Sequence, residues 1–371
     1  MKAADYRHNH CMLSLVQSPV NASRPLPLDR TQLAAEWLLD SGICRPGFGV
    51  AEEYRTDGRE YAPVSKRATA NYVSTLLWLF ETRGETRYID RALTAAQYLS
   101  RSSRDLNEST LAGGNMACDR SANRRLEDGC AMLRALVESW RASQHAEFLT
   151  KAIECASAMQ RIPCLCPLES ARGWLELAGA TGNARWQELY NRSLAWSLSS
   201  YRDVESEDGV RSVSWASRAT TTDLTSRCCF LEALLANLMR PRNRTSEAVP
   251  IFEKVFERTS KELRTFSRKT GPDTEMPTEA YARLLRLRLN AAGLGLMKLD
   301  AERAEREASL IQEMQADQCD PRTRGAFYSG RPSNVFARVV GLTVTAVSLQ
   351  ALEQWQQYQD GCFRPALLQI V

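Results

Sequence analysis

The chain has 371 residues, 44% of them hydrophobic, and 48 Lys and Arg stand against 44 Asp and Glu for a net charge of +4. That apolar content suffices for a large core, and the basic residues are spread along the chain without the clustered stripe that nucleic-acid binding needs, so nucleic acid is excluded as a partner. Residues 1–30 are polar where a signal peptide has an unbroken apolar run, and no later run is long enough to span a bilayer; a cytoplasmic protein without a membrane span is expected.

The spacing of apolar residues predicts helices, in chain order, over 31–39, 68–82, 86–101, 125–141, 146–161, 167–180, 184–199, 222–239, 246–264, 278–297, 301–316 and 333–358. A polar leader (1–30) precedes them and a tail (359–371) follows. Asp29 or Thr31 is available to cap the first helix and Gly42 to stop it. Short turns of like chemistry join the helices in pairs. Arg83-Gly84-Glu85-Thr86-Arg87 recurs as Ser143-Gln144-His145-Ala146-Glu147 and as Thr181-Gly182-Asn183-Ala184-Arg185, with weaker copies at 240–248 and 297–306. Such repetition is the signature of stacked helical hairpins.

The helices fall into two kinds. Segments 228–238 and 339–352 are apolar over most of their circumference and belong inside, whereas 253–264 and 301–315 carry charges at helical spacing and belong outside. Six hairpins sorted this way predict an all-α closed ring, an (α/α)6 toroid over 31–358. An open solenoid would instead leave two apolar ends to be capped. Joints that lead from outer to inner helices are long (42–67, 102–124, 200–221, 265–277, 317–332), with 162–166 as the exception. All of them should surround one mouth of the ring, where a ligand site is expected.

Of the eleven cysteines, Cys130, Cys155, Cys228 and Cys229 lie in apolar helical patterns, as reduced thiols in a core do. Cys164 and Cys166 lack both the Cys-Xaa-Xaa-Cys spacing and a nearby histidine, so no metal is expected, and no cofactor. Histidine occurs only as His8, His10 and His145, which disfavours every His-dependent mechanism.

The first long joint reads Gly47-Phe48-Gly49-Val50-Ala51, then Tyr54, then Tyr61-Ala62-Pro63, and leads into Thr69-Ala70-Asn71-Tyr72 and Arg87-Tyr88-Ile89-Asp90-Arg91-Ala92. This stretch resembles the six-hairpin toroid proteins of bacterial polysaccharide gene clusters, which are similar to glucuronyl C5-epimerase catalytic domains, uronate lyases and unsaturated glucuronyl hydrolases. Those cluster proteins carry a Ser-Tyr-Pro-Glu phrase where this chain has Pro63-Val64-Ser65-Lys66-Arg67, without the carboxylate. The resemblance implies an acidic oligo- or polysaccharide as partner and an epimerase, lyase or glycoside hydrolase activity. For such chemistry the candidate catalytic residues are Tyr61 and Tyr328 as proton-transfer phenols and Asp128 and Asp223, at inner-helix starts, as acid and base. Asp and Glu are also favoured at those positions by capping alone. Candidate substrate-binding residues are Tyr54, Arg67, Arg218, Arg324 and Arg331, with Trp215 as a sugar platform; an Arg fork matches a carboxylate and an aromatic face stacks on a sugar ring. The alternative is a non-catalytic repeat protein whose funnel docks a protein or glycan.

Overall fold

The computed structural model describes residues 29–45, 47–102, 120–161, 168–206, 221–239, 248–269, 277–317, 320–330 and 339–365. Among them are the helices α1 (Arg30–Asp40), α2 (Lys66–Arg83), α3 (Thr86–Ser102), α4 (Arg120–Ser143), α5 (Ala146–Met159) and α6 (Leu168–Thr181). They continue as α7 (Ala184–Ser206), α8 (Thr221–Leu238), α9 (Ala248–Lys269), α10 (Thr278–Gly293), α11 (Ala301–Glu313) and α12 (Leu342–Gln359). Every expected helix is present. The largest change is at α12, expected to begin at 333: Val339–Gly341 form a strand instead.

The repeated turns have one physical basis. Gly84, Gln144 and Gly182 adopt left-handed backbone at φ 74°, 59° and 66°. Each donates its N–H four residues back, to the carbonyls of Phe80, Trp140 and Ala178 at 2.8, 2.7 and 2.9 Å, which closes the preceding helix. Four residues further on comes an aromatic side chain, Tyr88, Phe148 or Trp186, and each is buried. A left-handed stop and a buried aromatic start thus fold the chain back on itself three times.

The even-numbered helices form a ring. α2 packs on α4, α4 on α6, α6 on α8, α8 on α10, α10 on α12, and α12 returns to α2. Each odd-numbered helix packs outside an even one, with α1 against α12. Outer α3 shows why: it buries Tyr88, Ala92, Ala95, Ala96 and Leu99, one stripe at helical spacing, and leaves its other face polar. By contrast α2 and α12 are buried over nearly their whole length. The architecture is the expected (α/α)6 toroid.

Six short strands were not anticipated. β1 (Cys44–Arg45), β2 (Gly49–Ala51) and β5 (Val64–Ser65) make one antiparallel sheet in the order β1-β2-β5. β3 (Glu53–Arg55), β4 (Glu60–Tyr61) and β6 (Val339–Gly341) make another in the order β4-β3-β6. In the second, Tyr54 pairs with Val340 and Glu53 with Gly341, so the first long joint is tied to the last. The Leu342 N–H continues the seam by donating to the Glu52 carbonyl at 2.8 Å. Runs of two or three residues are too short for a period-two pattern, so these strands left no sequence signal.

Candidate functional site

A cavity of about 880 Å³ lies among the N-terminal parts of the six even-numbered helices. α2 contributes Arg67 and Asn71, α4 Glu127, Cys130 and Arg134, and α6 Arg172; α8 supplies Cys229 and Glu232, α10 Glu279 and Arg283, and α12 Thr343. Glu52 and Ser329, from the first and last joints, complete the rim. Because helix N-termini carry partial positive charge, this end of the ring favours an anion before any side chain is counted.

The floor is a belt of buried ions on the faces that the inner helices turn to one another. Arg134 Nη2 donates to Asn71 Oδ1 at 3.2 Å, and Asn71 Nδ2 donates to Thr343 Oγ1 at 3.4 Å. Ser74 Oγ donates to Glu138, whose other oxygen is 4.0 Å from Arg134 Nε. Across the ring Arg283 bridges two carboxylates, donating to Glu232 and, from Nε at 2.9 Å, to Glu279. Arg286, fully buried behind them, comes only within 3.5 Å of Glu232 Oε1. Arg141 donates to Glu176, so that carboxylate is shared with an arginine nearer solvent.

Arginines and glutamates alternate around this belt. Burial pulls Arg134 down to about 10, with Glu138 opposing and Arg172 and Arg283 reinforcing the fall. Burial likewise lowers Arg286 to about 10, against the pull of Glu232 and with Arg283 and Arg172 adding to it. Burial is the first cause of both shifts, so they mark a site shielded from water. Arg283, by contrast, stands well above the ordinary guanidinium range in spite of its burial, which its neighbours, Glu232 and Glu279 among them, outweigh. Burial raises Glu138 above the usual carboxylate range, against the pull of Arg134 and Ser74.

Of the residues singled out from sequence, Arg67 lines the cavity, and it pairs with Glu127 at 3.0 Å. Asp128 stands next to Glu127 on α4, but the cavity wall is formed by Glu127, because successive helical residues point about 100° apart. Tyr61 is elsewhere. Its hydroxyl donates to the Ser41 carbonyl, its ring packs on Tyr54 at 4.9 Å, and burial followed by the neighbouring Tyr54 raises it above the ordinary phenol range. Tyr54 is buried beneath Arg322, whose guanidinium carbon is 5.2 Å from its ring centre. Tyr328 is buried in the β-bridge to Val340, while Arg324 is exposed; neither lines the cavity. In that loop it is Arg322, not Arg324, that is engaged, forking onto Asp320 at 2.9 and 2.8 Å. Asp223 falls in the first turn of α8, with its side chain outside the described residues, as are Trp215, Arg218 and Arg331.

What sequence reading missed is the arginine floor. Its signal was an Arg-Xaa3-Glu spacing inside otherwise apolar segments, at Arg134/Glu138 and again at Arg172/Glu176, in successive inner helices. Charged residues are almost never fully buried unless paired, so such a recurrence marks a polar axis. Among the described residues the cavity lining includes no aromatic side chain and no cluster of potential metal ligands.

No protein-family model and no curated protein sequence matches the chain. Solved structures do match in fold. The unsaturated glucuronyl hydrolase from Bacillus sp. GL1, described as responsible for the degradation of glycosaminoglycan, superposes with a TM-score of 0.59 at 12% identity, over 90% of this chain and 97% of that one. The cellobiose 2-epimerase from Spirochaeta thermophila DSM 6192 gives 0.54 at 15% identity, over 87% and 96%. The GH76A alpha-1,6-mannanase from Salegentibacter sp. HEL1_6 gives 0.57 at 12%, over 88% and 99%. At these identities the likeness shows the toroid fold alone.

Proposed function

We propose that the chain is a carbohydrate-processing enzyme whose funnel receives an acidic, uronate-type residue of a polysaccharide. The observation that supports it most is that Arg67, Arg134, Arg172 and Arg283 line one cavity at the N-terminal end of the inner helices. The toroids similar in fold are named as a glucuronyl hydrolase, an epimerase and a mannanase, which fits a saccharide in this place. In this reading the arginines hold the sugar carboxylate. Their charge then stabilises the enolate that forms when a proton leaves the adjacent carbon, as epimerase or lyase chemistry requires, or positions the ring for glycoside hydrolysis. Acid–base work falls to carboxylates of the inner helices: Glu127 in the cavity wall, with Asp128 next to it in the chain and Asp223 in the first turn of α8 as the other candidates.

A second reading has support of its own. Glu127, Glu232 and Glu279 are each tied to an arginine, which leaves fewer unengaged carboxylates for catalysis and suits a site that binds without turnover. A glycan array followed by an ultraviolet assay for unsaturated uronate and a reducing-end assay separates the two. Binding to uronate-containing glycans with new product supports the enzyme, binding without product supports the docking surface, and absence of any glycan signal overturns both.

A further inference from the structure

We propose that Asn71 is the positioning residue that sets the funnel's preference for a carboxylate: it braces the Arg134 guanidinium with an uncharged acceptor, a contact that takes no charge from the arginine. The inference rests on the reading of the funnel as a uronate site and deepens it, by naming where the sugar's carboxylate docks. Asn71 of α2 and Arg134 of α4 both line the cavity, and each is only 8% exposed. Arg134 Nη2 donates to Asn71 Oδ1 at 3.2 Å. A guanidinium has donors alone, so the amide oxygen must face it, and the amide nitrogen is thereby turned to Thr343 Oγ1 at 3.4 Å, in the first turn of α12. One side chain thus ties α2, α4 and α12 together at the cavity floor.

What distinguishes this contact is its charge. Arg67 meets Glu127 at 3.0 Å and Arg283 meets Glu279 at 2.9 Å, so those cavity arginines are held by carboxylates. At position 71 the acceptor is an amide, although an aspartate would fill nearly the same volume and accept the same bond. Glu138, one turn below Arg134 on the same helix, takes the Ser74 hydroxyl, and its other oxygen stops 4.0 Å from Arg134 Nε, beyond hydrogen-bond distance. Burial makes the difference matter, because a unit charge 3.2 Å away acts far more strongly in the interior than in water. Glu127 stands about two turns nearer the N-terminus of α4, on the face that carries Arg134. A carboxylate held at Arg134 therefore leaves its sugar ring toward the proposed acid–base group.

The test is calorimetric titration of the intact protein with a glucuronate-containing disaccharide, beside thermal melts, for the wild type and two variants. Asn71→Asp keeps an acceptor for Arg134 and can take the Thr343 hydroxyl as a donor, so it changes the charge and little else. Asn71→Ala removes both bonds and adds no charge. Affinity for the acidic disaccharide should fall about tenfold or more in Asn71→Asp, with a melting temperature no lower than that of Asn71→Ala, and by a smaller factor in Asn71→Ala. A merely structural asparagine gives the opposite order, since alanine loses both bonds and aspartate neither. Undiminished affinity in Asn71→Asp, a loss in Asn71→Ala as large as in Asn71→Asp, or a lower melting temperature for Asn71→Asp than for Asn71→Ala overturns the inference and leaves the uronate reading in place. Absence of acidic-sugar binding by the wild type overturns that reading, and the inference with it.

Discussion

Glu232 faces two guanidinium groups, and the chain has placed all three in its interior. Removing the carboxylate leaves Arg283 and Arg286 with a charge that burial cannot accommodate, so Glu232→Ala should destabilise the protein by about 3–5 kcal/mol in chemical denaturation. A second residue-scale constraint is Gly325, at φ 91°, where an added Cβ falls 2.3 Å from the Leu33 carbonyl oxygen of α1. Gly325→Ala should cost at least about 2 kcal/mol by the same measurement, since the backbone it meets cannot move aside. At this scale the sequence was only partly legible. Arg67 ends the first long joint, one of those expected to surround the mouth, and it lines the cavity. The choice of Asp128 over Glu127 turned on a rotation that sequence spacing specifies only when the helix axis is known.

Among the elements, α1 is the most exposed to a single change, because it is short and its N-terminus rests on one side chain. Asp29 accepts from the Thr31 and Gln32 N–H groups at 3.0 and 3.1 Å. Burial opposes the charge there, yet the hydrogen bonds hold the carboxyl below its ordinary value of 3.8. Between that lowered value and 3.8 the unfolded chain binds more protons than the native one, so stability rises with pH through that window and its full contribution stands above 3.8. Asp29→Asn should therefore keep the cap but flatten this acid-side loss, whereas Asp29→Ala should lose about 1 kcal/mol at neutral pH in thermal melts. Helices and their turns were readable because their causes are local: a left-handed stop, a cap, a stripe. The β3–β6 pairing was not, since it joins Glu53 to Gly341, far apart in the chain, and no local pattern announces it.

As a whole molecule the toroid closes on itself through α1, α2 and α12, with Arg83 of α2 donating to Glu353 of α12 at 2.7 Å. A closed ring has no free end from which to fray, so unfolding should be one transition with coincident circular dichroism and tryptophan fluorescence curves. Leu349→Ala, in the core of α12, should move that single transition down by about 2–5 kcal/mol without splitting it. Ring closure was predicted from the inner and outer sorting of helices. The polar axis follows only once six inner faces meet, which no single helix reveals. On that axis rests the claim that the funnel is built for an anionic sugar, and calorimetric titration with a glucuronate-containing disaccharide and its neutral glucose counterpart tests it most directly. Saturable binding of the acidic sugar, weakened by salt and by Arg172→Gln, with little or none of the neutral one, is the predicted result; equal affinity for the two, or no binding of the acidic sugar, would contradict it.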